Sequence, residues 1–371
     1  MPLDTDARIL ITGAYGFLGW HLRIRLQSLG YENVQAVGRE QWDSLRDFTT
    51  DIDVVFHLAG INRAEDDVVE NGNRELAEQL RDAFGDGVPQ VVVFADTIHA
   101  DSDTPYGRGK TAAAQVLRGW MNGAAGRFVD VRLPNLFGEH GRPFYNSFVP
   151  TFVELAVIGK EPDIQDREVP LLHVQAAAQT IIDAVDAPAG HVTPEGTAVR
   201  VSEVWEILRE QHSLYEQGTI PDISEPLRRD LFNMLRSRMF LDRPAIPLKM
   251  NTDYRGSFVE TARVMGGQGQ TSFSTTGPGI TRGQHYHLRK AERFVVLSGS
   301  ARISIAKVFG DPTERVDLDV DGDSPTAVDM PTGWAHNITN TGEQTLITQF
   351  WISELFDSTD PDTVPSEVPE R

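Results

Sequence analysis

Four residues in the last quarter of the sequence have the types and spacing of a metal centre: His285, His287, Glu292 and His336. Residues two apart on a strand point the same way, so the histidines of His285-Tyr286-His287 can share a ligand while Tyr286 points off that face. Glu292 follows after a turn, with Gly299 beyond it, and His336 sits in Pro331-Thr332-Gly333-Trp334-Ala335-His336-Asn337-Ile338-Thr339-Asn340. Three imidazoles and a carboxylate are a borderline donor set that suits zinc, iron, manganese or nickel. Cysteine is absent, which removes disulfides, thiolate nucleophiles and Cys-type zinc sites, so a metal here has only imidazole and carboxylate to bind. The alternative is that the metal, or an organic ligand in its place, only braces the fold.

A second constellation has the chemistry of carbonyl reduction. Tyr106-Gly107-Arg108-Gly109-Lys110 places Tyr and Lys four apart at the start of a helical pattern, hence on one face. A free phenol titrates near pH ~10, and a neighbouring ammonium lowers that value by favouring the phenolate. The same lysine can hold a nicotinamide ribose. Thr97 lies just past a strand ending at Phe94, where its hydroxyl can orient a substrate carbonyl, and the carboxylate of Asp96 beside it is an unusual neighbour. Tyr286, Lys290 and His212 are unassigned acid–base candidates, and the sequence does not choose among them.

Reduction needs a hydride donor, and the N-terminus supplies a place for one. The run Arg8–Thr12 leads into Gly13-Ala14-Tyr15-Gly16-Phe17-Leu18-Gly19 and then a helical pattern from Phe17 to Leu29. Gly13 allows the tight turn, Gly16 lets the backbone approach a pyrophosphate at the helix N-terminus, and Gly19 lets the helix lie close on the strand. At the end of the next strand, Gly38-Arg39 stands where NAD sites carry a carboxylate for the ribose diol. A guanidinium there suits a 2′-phosphate, which points to NADPH, while Glu40 one position later keeps NAD open.

These residues need a scaffold, and hydrophobic patterning supplies two. Strand-like runs at 8–12, 33–37, 53–57, 90–94 and 127–132 alternate with helical segments that include 73–84 and 110–121, which indicates a parallel sheet covered on both faces. Helices are expected at 146–158, 175–186, 202–212 and 226–240. The prolines of Leu241-Asp242-Arg243-Pro244-Ala245-Ile246-Pro247 mark a boundary. Beyond it short β-like runs at 258–264, 271–275, 293–297, 301–308, 326–330 and 345–352 read as an all-β barrel or sandwich. The tail from Asp357 reads as a loose, solvated strap. Two domains are expected, 1–245 and 250–371.

Composition limits the partners. Thirty-four Lys and Arg against 54 Asp and Glu give a net charge of −20, which disfavours nucleic acid and anionic membrane surfaces. The first residues lack the basic start and apolar core of a signal peptide, and no apolar run reaches the length of a membrane span, so a cytoplasmic protein is expected.

Taken together, the glycine fingerprint, Thr97, Tyr106 and Lys110 resemble the extended short-chain dehydrogenase/reductase (SDR) family. His57-Leu58-Ala59-Gly60 and Arg132-Leu133-Pro134-Asn135-Leu136-Phe137-Gly138 agree with it. The resemblance implies a Rossmann-like doubly wound sheet. It also implies cofactor contacts from Gly13, Gly16, Phe17, Leu18, Gly19, Arg39, His57, Ala59, Gly60 and Lys110, and a nucleotide-sugar contact at Asn135. The family usually has Ser-Ser or Ser-Thr where this chain has Asp96-Thr97. The histidine-bearing stretches resemble the two motifs of the cupin barrel. A reductase followed by a cupin, joined through Asn251-Thr252-Asp253-Tyr254-Arg255-Gly256-Ser257-Phe258, resembles the CapF-type enzymes of capsular polysaccharide biosynthesis over nearly the whole chain. That likeness implies a homodimeric, bifunctional enzyme with zinc in its cupin. It would epimerise C3 and then reduce the C4 ketone of a UDP-linked 4-keto-6-deoxy-N-acetylhexosamine with NADPH, giving a UDP-N-acetyl-6-deoxy-talosamine. Two other readings compete: an NAD-dependent epimerase or dehydratase with a non-catalytic cupin, and a redox or sugar sensor without catalysis.

Overall fold

Strands built almost wholly from Val, Ile and Phe leave no polar face for water, so both faces must be covered. The computed structural model, which describes residues 3–124 and 126–370, shows this for β1 (Ile9–Thr12), β3 (Val54–His57) and β4 (Val91–Thr97), every residue of which is buried. With β2 (Val34–Val37), β5 (Arg127–Leu133) and a last strand, Gly190–Val192, they form a six-stranded sheet in the order β2-β1-β3-β4-β5 and then Gly190–Val192. Every pairing in it is parallel. Helix α1 (Phe17–Ser28) follows β1, α2 (Asp66–Phe84) follows β3 and α3 (Pro105–Gly123) follows β4. Two apolar clusters lie on opposite sides of the sheet. Ile9, Ile11, Phe56, Val93 and Val131 belong to one, and Leu10, Val55, Val92, Phe94 and Phe128 to the other. The order reverses at β1, so the crevice beyond the carboxyl ends of β1 and β3 is the topological switch point where such sheets bind ligands.

The chain forms two compact units that interleave in sequence. The first is Met1–Phe137, Phe144–Phe148 and Glu168–Val199, and the second is Gly138–Pro143, Val149–Arg167 and Arg200–Arg371. The composition change near 245–250 thus lies inside the second unit. Packing accounts for this: Phe240, from the helix Pro226–Asp242, is buried with Phe294, Val328 and Trp334 of the β region. Tyr215 and Phe232 are likewise buried with Val295, Ala327 and Trp351. Side chains of this size contribute about 1.5–3 kcal/mol each when buried.

In that second unit two five-stranded sheets make the barrel. One runs Ile246–Pro247, Thr326–Met330, Glu292–Ser298, Leu346–Ile352, Gln270–Thr276; the other runs Arg315–Asp321, Ser300–Lys307, Trp334–Asn340, Thr281–Tyr286, Val364–Pro365. The run expected at 258–264 is two short strands, Gly256–Val259 and Arg263–Val264. The tail is the larger correction. Residues 355–361 are exposed, but Asp362, Val364 and Val368 are buried, and Val364–Pro365 adds a strand beside His285–Tyr286. Its prolines block a helix without blocking docking at a sheet edge. No helix among the described residues is long and apolar enough to cross a membrane.

Candidate functional sites

The glycine turn has the tightness its sequence implies. Gly13 has φ +71, and a Cβ there would lie 2.7 Å from the Ala59 nitrogen, so β1's exit lies against the segment after β3. A Cβ on Gly19 would meet the Gly13 carbonyl at 2.2 Å. Gly16 is the N-cap of α1 with no side-chain cap bond, leaving that end to backbone N–H groups, while Phe17 and Leu18 form its first turn. Ala59 and Gly60 follow β3, and a Cβ on Gly60 would lie 3.8 Å from Lys110 Nζ. Asn73, which composition and spacing do not single out, fixes this segment: its Oδ1 accepts from Ile61 N, and its Nδ2 donates to the carbonyls of Ile61 and Val69. Arg39 is exposed at the end of β2.

His57 is fully buried. Its Nδ1 shares a hydrogen bond with Thr12 Oγ1 at 2.7 Å, and its ring stacks on Phe94. Burial, then the nearby Lys110 charge, push its pKa down to about 3, so the ring is neutral. Asn135 is half-buried, and its Nδ2 donates to the Pro170 carbonyl.

Thr104 caps α3 by accepting from Gly107 N, with Pro105 at the first position. The two glycines of Tyr-Gly-Arg-Gly-Lys serve close approach: Cβ atoms on Gly107 and Gly109 would meet the His99 carbonyl at 2.7 Å and the Val69 and Glu70 carbonyls at 2.9 Å. Tyr106 and Lys110 thus face one way from a helix pressed onto α2. Lys110 is buried, with Nζ donating to the Ala95 carbonyl at 2.6 Å and lying 4.1 Å from the centre of the Phe94 ring. Thr97 Oγ1 accepts from His99 N, which leaves its own proton to donate.

The expected depression of the Tyr106 pKa is not what the site produces. Burial, and then the Asp96 carboxylate, push it up to about 12. Burial pulls Lys110 down to about 8, against the raising pull of Asp96 and Asp130. Tyr106 is therefore a phenol at neutral pH, the form that donates a proton during reduction.

Beneath them Asp96 and Asp130 are both buried, and neither Asp96 Oδ1 nor Asp130 Oδ1 has a donor. Arg132 and Arg118 stand 3.7 and 3.9 Å from Asp130 Oδ2. Burial, then the charge and hydrogen bond of Asp96, push the Asp130 carboxyl up to about 7. The native state thus holds a proton that the unfolded chain releases near pH ~4, and stability falls as pH rises between those values. Asn cannot ionise, so the Tm of Asp130→Asn relative to wild type should rise from about pH 5 to about pH 8 in scanning calorimetry. A pH-independent difference would contradict the shared proton.

The four candidate ligand residues lie close together. His285 and His336 are cross-strand partners in one barrel sheet, His287 lies just past the end of its strand, and Glu292 opens a strand of the other sheet. Glu292 Oε2 is 3.0 Å from the Nε2 atoms of His287 and His336 and 3.7 Å from His285 Nε2, and one donor atom from each residue lies within 4.8 Å of the others. Burial pushes the Glu292 carboxyl up, but hydrogen bonds from the three histidines outweigh it and hold it well below the usual carboxylate range. Burial lowers His336, which favours the neutral ligand form. His287 Nδ1 meets the Asp362 carbonyl and His336 Nδ1 the Trp334 carbonyl, so Nε2 of each ring faces Glu292, donating to it here and offering a lone pair once a cation takes the place of that proton. Convergent lone pairs and one ionised carboxylate fit a divalent cation.

Tyr286 is fully buried beside this cluster rather than part of it. Lys290 is buried too, with Nζ donating to the Pro361 carbonyl and Thr363 Oγ1, so it is no solvated surface residue. His212 lies 3.8 Å from Glu216 on its own helix.

Comparison with known proteins agrees with both halves. Residues 9–198 match the NAD dependent epimerase/dehydratase family, and residues 251–364 match the polysaccharide biosynthesis C-terminal domain. The chain is 31% identical to a UDP-2-acetamido-2,6-beta-L-arabino-hexul-4-ose reductase of Pseudomonas aeruginosa, over 98% of this chain and 99% of the relative. The crystal structure of the capsular polysaccharide assembling protein CapF from Staphylococcus aureus aligns with a TM-score of 0.58 and 30% identity, covering 97% of this chain and 99% of that one. A UDP-N-acetylglucosamine 4-epimerase from Methanobrevibacter ruminantium aligns with a TM-score of 0.54 at 18% identity, over 65% of this chain and 100% of that one, a likeness of fold alone. The chain belongs to the NAD dependent epimerase/dehydratase family, in the CapF-type arrangement with a polysaccharide biosynthesis C-terminal domain.

Proposed function

We propose that this chain is a bifunctional nucleotide-sugar enzyme of surface polysaccharide synthesis in the cytoplasm. Its substrate is a UDP-linked 4-keto-6-deoxy-N-acetylhexosamine, which it epimerises at C3 in the cupin and reduces at C4 in the SDR unit. The product is a UDP-N-acetyl-6-deoxy-talosamine. One observation carries this reading: Tyr106 and Lys110 on one helix face, with Thr97 at the end of β4, share a chain with the His285, His287, Glu292 and His336 cluster. The name of the Pseudomonas relative, a reductase of a UDP-linked hexulose, supports the substrate class.

In the reductase, NADPH supplies the hydride to C4. Gly13, Gly16, Phe17, Leu18 and Gly19 would hold its pyrophosphate, His57, Ala59 and Gly60 would line the cofactor site after β3, and Arg39 would take the 2′-phosphate. Thr97 donates a hydrogen bond to the carbonyl oxygen, Tyr106 protonates that oxygen as hydride arrives, and Lys110 holds the ribose. Asn135 contacts the sugar nucleotide. One NADPH and one proton are consumed per ketone reduced.

In the cupin, His285, His287, Glu292 and His336 hold a divalent cation, zinc by preference. The cation supplies Lewis acidity toward the C4 ketone, which makes the C3 proton removable. A homodimer belongs to this reading, supported by apolar side chains left in solvent on the hairpin Met250–Val259 and the strand Gln270–Thr276: Tyr254 is 96% exposed and Phe273 72%.

The test is incubation with the 4-keto UDP-sugar and NADPH in D₂O, with the product read by NMR. Deuterium at C3 together with stoichiometric NADPH oxidation is the expected result. Tightly held NAD with no net consumption would support an epimerase or dehydratase instead.

A further inference from the structure

The docked C-terminal tail reaches the metal cluster from outside. Asp362 turns both carboxylate oxygens and its carbonyl to one stretch of chain. Its Oδ1 accepts from Leu288 N at 2.9 Å, and its Oδ2 accepts from Arg289 N and Lys290 N at 3.0 and 2.9 Å. Its carbonyl meets His287 Nδ1. Those three amides belong to the connection between His287 and Glu292, so one residue holds a ligand ring and the turn that spaces it from the next ligand. Asp362 does this at φ +40, a region that a non-glycine residue occupies only when its surroundings hold it there.

Neighbouring contacts hold the rest of the tail. Lys290 Nζ donates to the Pro361 carbonyl and Thr363 Oγ1, Ser366 N to the Gln284 carbonyl, and Val368 N to Gln284 Oε1. Gln284 sits at φ +62 in the irregularity just before His285. On its N-terminal side the strap follows the exposed residues 355–359, and Asp360 pairs with Arg289 of the same turn. The strap's departure would leave three amides of a buried turn without acceptors and free the His287 ring to rotate.

We propose that the segment Asp360–Val368 is a positioning strap for the metal centre, with Asp362 its pivot, so that strap docking and metal binding are thermodynamically coupled. The inference rests on the metal reading of the four-residue cluster. Partners of metal-bound histidines commonly change affinity by about 10–100-fold when removed. Linkage then requires metal loading to favour strap docking by the same factor that docking favours the metal. A purely structural strap would lack this reciprocity.

The experiment uses the full chain and zinc alone. Zinc affinity is measured by chelator competition for wild type and Asp362→Ala, and amide exchange of residues 286–290 and 362–368 is followed with and without zinc. Expected are a 10–100-fold weaker affinity in the variant and, in wild type, strap amides that exchange more slowly once zinc is bound. Should Asp362→Ala fail to fold, Asp362→Asn, which keeps one acceptor oxygen, and Lys290→Met decide by the same measurements. If wild type binds zinc and the folded variants match its affinity, or if zinc leaves strap exchange unaltered, the strap is structural only and the metal reading stands. If wild type binds no divalent cation, both fall.

Discussion

Replacing Tyr106 by Phe should lower kcat for NADPH-dependent ketone reduction by about 10²–10⁴-fold, with KM changing far less. The phenol's packing survives in phenylalanine; what disappears is the proton that the proposed reduction takes to the C4 oxygen. Burial and the Asp96 charge keep that proton in place, pushing Tyr106 up to about 12. The variant should still bind NADPH, since Lys110 and the glycine turn are untouched, and fluorescence titration of bound NADPH checks this. A variant that lost cofactor binding along with turnover would point to a structural tyrosine, and one that kept full turnover would exclude it as the acid. Deuterium exchange at C3 should persist in Tyr106→Phe, because the cupin residues proposed to support it are unchanged.

The reciprocal experiment removes a ligand. His336→Ala should abolish solvent deuterium incorporation at C3 and weaken zinc binding severely, while NADPH oxidation with a substrate already epimerised at C3 continues. His336 is fully buried and gives Glu292 one of its two shortest contacts. Without it the carboxylate keeps His287 at 3.0 Å and His285 at 3.7 Å, a poorer set of donors for a cation that favours four. Zinc content per chain and C3 exchange are the two readouts. Undiminished C3 exchange in a zinc-free variant would remove the cluster from catalysis and leave it a brace for the barrel.

Both candidate centres were readable from linear spacing, for local reasons. Tyr106 and Lys110 share a face because helical geometry puts residues four apart together. The strand pairing of His285 with His336 was less accessible, because two strands far apart in sequence must find their register. A further strand carries a sequence signal of its own: Arg315–Asp321 alternates Val316, Leu318 and Val320 with Asp317, Asp319 and Asp321, the period of a half-buried strand, which it forms. Helix starts were misplaced for a similar reason. The helix expected at 73–84 begins at Asp66, since its first turns carry mostly polar residues and little apolar periodicity.

Residue types in order were enough to indicate a Rossmann-like half, a β-rich half and two clusters of candidate residues, because glycine turns, helical faces and strand alternation depend on neighbours within a few residues. Tertiary structure decided the charges and the supports. It half-buried Tyr106 near Asp96, which keeps the phenol protonated, and it gave Asp130 a proton to hold. It also carried Asp362 across more than seventy residues of sequence to close over the turn at Leu288. The reason is physical: a proton affinity depends on solvent exclusion and on every nearby charge, and a hydrogen bond depends on which chain ends meet. No window of sequence contains those quantities until the chain has folded.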